Sequence, residues 1–247
     1  MAFQTVFKRY EIKYMITPEQ KAKVLEAMKP YMKPDNYGRT AIRNIYYDTD
    51  TYLLIRRSIE KPIYKEKLRI RSYGRAEPDS TVFVELKKKY KHVVYKRRIS
   101  LPEKEAMEWL SCEKHCRKYT QISEEVDYFL EYYKTLHPTV FLSYEREAFY
   151  ANDGSGFRVT FDDNILCRQE DLSLRAEIYG TPILPYGKTL MEIKCSGGIP
   201  LWMTRVLSEE HIYKTSFSKY STAYRTLIFP QNHTINKYNI SEAAIND

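Results

Sequence analysis

The sequence predicts an α+β fold in which an antiparallel sheet is flanked by helices. Three observations carry that prediction. Segment after segment alternates charged and apolar residues at the two-residue period of a strand. Between Pro102 and Pro138 the spacing becomes helical. No stretch dense in Gly, Pro or Ser divides the 247 residues, and 43% apolar residues suffice to fill one core. The expectation is a single domain over residues 1–229, followed by a polar, poorly ordered tail at 230–247.

Taken in order, residues 7–16 alternate and lead into Thr17-Pro18-Glu19-Gln20, a cap with proline in the first turn, so a strand precedes a helix. Residues 41–48 are β-rich, and 51–58 form a short helix after Asp48-Thr49-Asp50. Strands at 68–73, 81–90 and 93–101 follow as a meander, the first two joined through Gly74 and Pro78. Met107, Trp109 and Leu110, then Val126, Phe129, Leu130 and Tyr133, mark helices that cover the sheet. Strands resume at 140–150, 157–165 and 188–195, with Asn152-Asp153-Gly154 as a turn, and a last helix spans 218–228.

Composition narrows the function classes. Eight glycines, with no GxGxxG and no GxxxxGK[ST], argue against the dinucleotide and P-loop phosphate cradles. No apolar run approaches the roughly 18 residues of a membrane helix, and the start, MAFQTVFKRY, reads as no secretory signal. The four cysteines suit reduced thiols in a cytoplasm, and Cys112, His115 and Cys116 lack the second ligand pair of a zinc site. The histidines, His92, His115, His137, His211 and His233, show no carboxylate partner and none resembles a catalytic base.

The +8 net charge is placed at strand period. Arg9, Glu11 and Lys13 share a face; so do Arg69 and Arg71; Glu85, Lys87 and Lys89; Lys96 and Arg98; and Glu192 and Lys194, with Arg146 and Arg158 adding one charge each. An ordinary sheet with a solvated outer face gives the same alternation. Such a face, however, mixes Thr, Ser and Gln with its charges, whereas here Arg and Lys dominate. Crowded cations of this kind need an anion, and phosphate suits forked arginines and point-charge lysines, with sparse glutamates for a divalent cation. Lys88, Lys89 and Lys91 read as a solvated run near a hairpin. Tyr14 and Tyr73 are candidates for base stacking.

The ordered series Glu11-Ile-Lys13, Leu68-Arg69-Ile-Arg71-Ser-Tyr73-Gly74, Val84-Glu85-Leu-Lys87, Lys96-Arg-Arg98, Tyr144-Glu-Arg146, Arg158-Val-Thr-Phe-Asp162, Glu192-Ile-Lys194 and Phe217-Ser218-Lys219-Tyr220 resembles the VTC domain. That family is the polyphosphate polymerase domain of the vacuolar transporter chaperone proteins, a branch of the triphosphate tunnel metalloenzymes. The likeness covers residues 7–227, and the segment from Asn44 to Thr49 also looks like the family's second strand.

The resemblance implies an antiparallel β-barrel tunnel with flanking helices, in which ATP donates its terminal phosphoryl group to a growing polyphosphate chain. Matched position by position, it assigns the catalytic charges to Arg69, Arg71, Lys87, Arg146 and Arg158. Phosphate binding falls to Lys13, Lys96, Arg98, Lys194 and Lys219, and Mn²⁺ or Mg²⁺ to Glu192, with Glu11 and Glu85 as alternative carboxylates. It implies ATP and polyphosphate or triphosphate as ligands, no specific nucleic acid, and room for a separate membrane protein partner. The superfamily opens with Glu-x-Glu-x-Lys, whereas Arg9-x-Glu11-x-Lys13 has one carboxylate fewer, in line with the polymerase branch. Thr215 and Ser216 also replace the lysine step before Phe217-Ser218-Lys219, with Lys214 one position earlier. Two other functions stay open: a tunnel triphosphatase with water as acceptor, and a non-catalytic module binding polyphosphate or RNA.

Overall fold

The computed structural model of the protein describes residues 10–91 and 93–230. Expectations placed on Arg9, His92, His233 and the tail at 231–247 lie outside the described residues. In chain order the elements are β1 (Tyr10–Ile16), α1 (Pro18–Met28), β2 (Met32–Pro34), β3 (Thr40–Asp48), α2 (Leu53–Ile59), β4 (Tyr64–Tyr73), β5 (Thr81–Tyr90), β6 (Val93–Pro102), α3 (Glu103–Leu110), α4 (Gln121–Tyr133), β7 (His137–Ala151), β8 (Arg158–Arg168), β9 (Thr181–Pro182), β10 (Thr189–Cys195), α5 (Leu201–Glu209), β11 (Lys214–Thr215) and α6 (Lys219–Ala223). A π-helical turn, Tyr224–Ile228, continues α6. Among the described residues no helix is long and apolar enough to cross a membrane.

The described chain forms two compact units. The first holds residues 10–42, 143–165 and 184–217, the second 43–142, 166–183 and 218–230, so β3, β7 and β8 contribute to both.

In the first unit the strand order is β11-β1-β10-β8-β7, with β2 on β7. α1 starts as its sequence demands: Thr17 accepts from the Gln20 amide at 3.2 Å and Gln20 returns the bond to the Thr17 amide at 2.9 Å. Strand alternation sends Ile16, Val159, Phe161, Met191 and Ile193 to one face, where they pack with Val24 and Met28 of α1 and Met203, Val206 and Leu207 of α5. Tyr14 is 5% exposed within this core, so it is not available for base stacking.

In the second unit the order is β7-β3-β4-β5-β6, with β9 on β8. The meander is in register from Tyr64 opposite Tyr90 through Arg71 opposite Phe83, and from Thr81 opposite Pro102 through Tyr90 opposite Val93. Leu68, Ile70, Val82, Val84, Leu86, Ile99 and Leu101 point to one side and pack with Trp109 and Leu110 of α3 and Val126, Phe129 and Leu130 of α4. With the apolar side taken by helices, the alternate residues form a second face rich in cations. α2 is fixed by the end of β3: the buried Asp48 carboxylate accepts from the amides of Leu54 at 2.8 Å and Ile55 at 2.9 Å.

Candidate functional site

On the second unit's cationic face, register decides which charges meet. Arg69 stands opposite Glu85, and Glu85 opposite Arg98; one step along, Lys67 stands opposite Lys87 and Lys87 opposite Lys96. Lys65 opposite Lys89 extends the row. The face therefore carries Lys65, Lys67, Arg69 and Arg71 from β4, Lys87 and Lys89 from β5, and Lys96 and Arg98 from β6, with Glu85 as its carboxylate.

Glu85 is 1% exposed and holds three of those cations at once. Its Oε2 accepts from Arg69 Nε at 2.8 Å; its Oε1 accepts from Arg98 Nε at 2.7 Å and lies 2.7 Å from Lys96 Nζ. Burial alone would raise the Glu85 pKa, but Arg69, Arg71, Lys96 and Arg98 outweigh it and hold the carboxyl far below its ordinary range. The Lys96 ammonium is drawn down to about 8, by burial and then by Arg98 and Arg69, against the pull of Glu85.

Neutral partners orient the same face. Arg69 Nη1 donates to the Tyr46 hydroxyl at 2.8 Å. Arg71 Nε donates to Asn44 Oδ1 at 2.8 Å, and Asn44 is itself held by the Leu142 carbonyl at 3.0 Å. Arg98 reaches the Tyr73 hydroxyl at 3.2 Å and lies over the Phe83 ring, 4.4 Å from its centroid. Beside Arg98 and Arg71, the Tyr73 pKa falls below its usual value although burial opposes this. Lys219 opens α6, whose next residue, Tyr220, stacks on Tyr46 at 4.6 Å and donates to Asp48 Oδ2 at 2.9 Å. Lys67 approaches this helix through the Ser218 hydroxyl at 3.4 Å.

The first unit's charged face is mixed rather than basic. Lys13 stands opposite Glu192, and Glu192 opposite Thr160; beside this row Glu11, Lys194 and Arg158 form another. The Lys13 ammonium lies between two carboxylates, 3.4 Å from Glu11 Oε1 and 3.9 Å from Glu192 Oε2, and donates to the Phe217 carbonyl at 3.0 Å. Lys194 approaches Glu192 Oε1 at 2.5 Å. Arg146 binds Asp162 through two parallel bonds, 2.6 and 2.7 Å. Burial would lower the Arg146 pKa, but Tyr144, Asp162 and Glu192 push it well above the usual value. Arg158 lies over the Tyr150 ring at 4.6 Å.

A divalent cation is the group the resemblance to the VTC domain implies. Among the described residues no three His, Cys, Asp or Glu side chains gather as a self-sufficient metal cage. Glu11 and Glu192 nevertheless flank one cation position, now spanned by Lys13, and two carboxylates plus phosphate oxygens are what Mg²⁺ asks of a protein. Both oxygens of Glu85, by contrast, are occupied by arginine and lysine.

Sequence reasoning passed over Lys65, Lys67 and Tyr46. The two lysines continue the odd-numbered alternation back from Arg69, and that period was the available signal. It also left His137 without a carboxylate, whereas its Nδ1 lies 3.4 Å from Asp50 Oδ1; the two are far apart in sequence and both exposed.

In each unit an antiparallel sheet has its apolar side under helices and turns charged side chains to the other, which defines an α+β protein. Residues 8–228 match the model of the VTC domain, and the chain belongs to that family. It is 23% identical, over 277 aligned positions, to vacuolar transporter chaperone complex subunit 4 of Trypanosoma cruzi strain CL Brener; the match takes in 90% of this chain and 34% of that protein. The chain thus spans about a third of the length of this relative. Among solved structures, a candidate adenylate cyclase from Bacillus halodurans is 14% identical with a TM-score of 0.55, covering 91% of this chain and all of that one. A candidate adenylyl cyclase from Hippeastrum, described with a dominant triphosphatase activity, is 16% identical with a TM-score of 0.52, covering 87% and 94%. These likenesses show the fold, and it is the one the sequence predicts.

Proposed function

We propose that the chain transfers the terminal phosphoryl group of ATP to the end of a polyphosphate chain. The observation that carries this reading is the second unit's face, where eight Arg and Lys side chains of β4, β5 and β6 share a side with one carboxylate of those strands, Glu85. Cations so spaced along three strands suit an anion that repeats its charge, and Arg69, Arg71 and Arg98 offer forked donors to phosphate oxygens. Phosphoryl transfer asks little covalent chemistry of a protein; it needs the reactants in line and the equatorial oxygens neutralised. The acceptor is a phosphate already ionised at neutral pH, so no protein base is required.

In this reading Arg69, Arg71 and Lys87 on the second unit, and Arg146 and Arg158 on the first, are the cations that neutralise phosphoryl oxygens, while Lys13 and Lys194 of the first unit and Lys96, Arg98 and Lys219 of the second hold further phosphates. Arg146 is oriented by Asp162, and Glu85 keeps Arg69, Arg98 and Lys96 poised and apart. Glu192, with Glu11, would hold Mn²⁺ or Mg²⁺, which supplies further charge neutralisation on phosphate oxygens. The same arrangement with water as acceptor is a triphosphatase.

Purified protein incubated with ATP and Mn²⁺ separates the readings when ADP release and product length are measured together. The polymerase gives ADP together with a ladder of phosphate chains. Orthophosphate without chains identifies a hydrolase, and salt-sensitive polyanion binding without turnover identifies a binding module.

A further inference from the structure

Among the described residues, five buried side-chain polar atoms have no hydrogen-bond partner: Arg43 Nε, Glu105 Oε1, Ser143 Oγ, Arg158 Nε and Thr160 Oγ1. Two of the five are two residues apart on β8, and residues so spaced share a strand face. That face is the charged one. Thr160 is registered opposite Glu192, and Arg158 opposite Lys194.

Thr160 is fully buried. A hydroxyl enclosed without a partner destabilises the fold, a cost that a valine of nearly the same shape would avoid. Strand propensity does not explain the choice, because valine serves a buried strand position at least as well. What distinguishes threonine is a hydroxyl donor on the strand face where Arg158 also carries an unpaired N–H.

We infer that Thr160 is an anion-contacting residue: its hydroxyl and Arg158 Nε donate to oxygens of one bound condensed phosphate. The inference rests on the phosphate-handling function proposed above and adds a neutral specificity contact to a site otherwise described by its charges. The neighbouring charges fit that ligand, since Lys13 in the row of Thr160 and Lys194 in the row of Arg158 attract it. Glu192 beside Thr160 repels the bare anion, so a neutral donor at this position binds phosphate without adding to the cation count.

The test is titration of full-length protein with tripolyphosphate in metal-free buffer, comparing wild type, Thr160→Val and Thr160→Ser, with thermal midpoints measured beside the affinities. Loss of a hydrogen bond to a charged ligand predicts tripolyphosphate binding about tenfold weaker for Thr160→Val. Its ligand-free midpoint should be equal to or above that of wild type, because an unsatisfied hydroxyl has gone. Thr160→Ser should stay within about threefold of wild-type affinity, since its hydroxyl can reach the same oxygen. Wild-type affinity in Thr160→Val, whatever its midpoint, overturns the inference and leaves the proposed function standing. Absence of tripolyphosphate binding by wild type itself overturns both.

Discussion

Lys13 and Glu192 face each other across the β1–β10 ladder, with the ammonium 3.9 Å from Oε2, and the same ammonium lies 3.4 Å from Glu11. A lysine therefore lies between the two carboxylates proposed to hold the divalent cation, and a metal bound there would compete with it. Glu192→Gln keeps the shape and removes the charge. Mn²⁺ affinity should fall, and turnover of ATP should drop on the order of a hundredfold or more, as when one main electrostatic stabiliser is lost. Metal-free tripolyphosphate binding should be unchanged or slightly tighter. Near-normal ADP release at saturating Mn²⁺ would contradict the role of Glu192.

Glu85 predicts an acid-sensitive fold. Its folded pKa lies below the unfolded value near 4.5, so its contribution to stability is intact above that value and is lost progressively as pH falls below it. Urea midpoints should therefore decline more steeply below about pH 4.5 in wild type than in Glu85→Gln. At pH 7 the substitution should cost about 3 kcal/mol, because Arg69, Arg98 and Lys96 lose their shared counter-charge. Added tripolyphosphate should restore much of it by supplying another anion. Equal acid profiles for the two proteins would show that Glu85 does not bind these cations in solution.

Lys96 gives the cationic face a pH response on the alkaline side. With its pKa at about 8, it loses its proton in the folded protein before an unfolded lysine does. Between that value and the ordinary 10.5 the unfolded chain binds more protons, so this residue contributes rising stability as pH increases. Tripolyphosphate affinity should move the opposite way and weaken as pH rises through about 8, a bound anion shifting the step upward. Lys96→Arg should remove the step, because guanidinium stays charged. A step of equal size in that variant would place the titrating group elsewhere.

The strand pattern made much of this face legible. Two-residue alternation placed Arg69 with Arg71 and Lys96 with Arg98, and the cap at Thr17 placed α1. What alternation cannot supply is the partner: Arg146 with Asp162, or three cations on Glu85, depends on register between strands, which one strand's sequence does not contain. β4 also begins at Tyr64, four residues earlier than its β-branched and apolar residues suggest, because pairing with β5 overrides the weak strand propensity of Lys65-Glu66-Lys67. α5 carries Met203, Val206 and Leu207 at helical spacing, but the segment is short and its entry, at Pro200, lacks a side-chain cap.

Tyr220 ties α6 to the end of β3, and that tie should be measurable. Tyr220→Phe loses the bond to Asp48 and should cost about 1 kcal/mol in urea unfolding. Asp48→Ala removes in addition the acceptors for Leu54 and Ile55 at the start of α2 and should cost about 3 kcal/mol. Equal losses in the two variants would mean that Asp48 serves the tyrosine and not the helix.

Binding of condensed phosphate by the cations on β4, β5 and β6 is tested most directly by the thermal midpoint of the purified protein with tripolyphosphate, against sulfate and chloride at matched ionic strength. An anion that binds only the folded state raises the midpoint in proportion to the logarithm of its concentration over its Kd. A phosphate-binding face predicts a large rise with tripolyphosphate, a smaller one with sulfate and little with chloride, and a diminished tripolyphosphate response in Arg71→Ala. A tripolyphosphate shift no larger than that of chloride would contradict it and return these side chains to an ordinary solvated face.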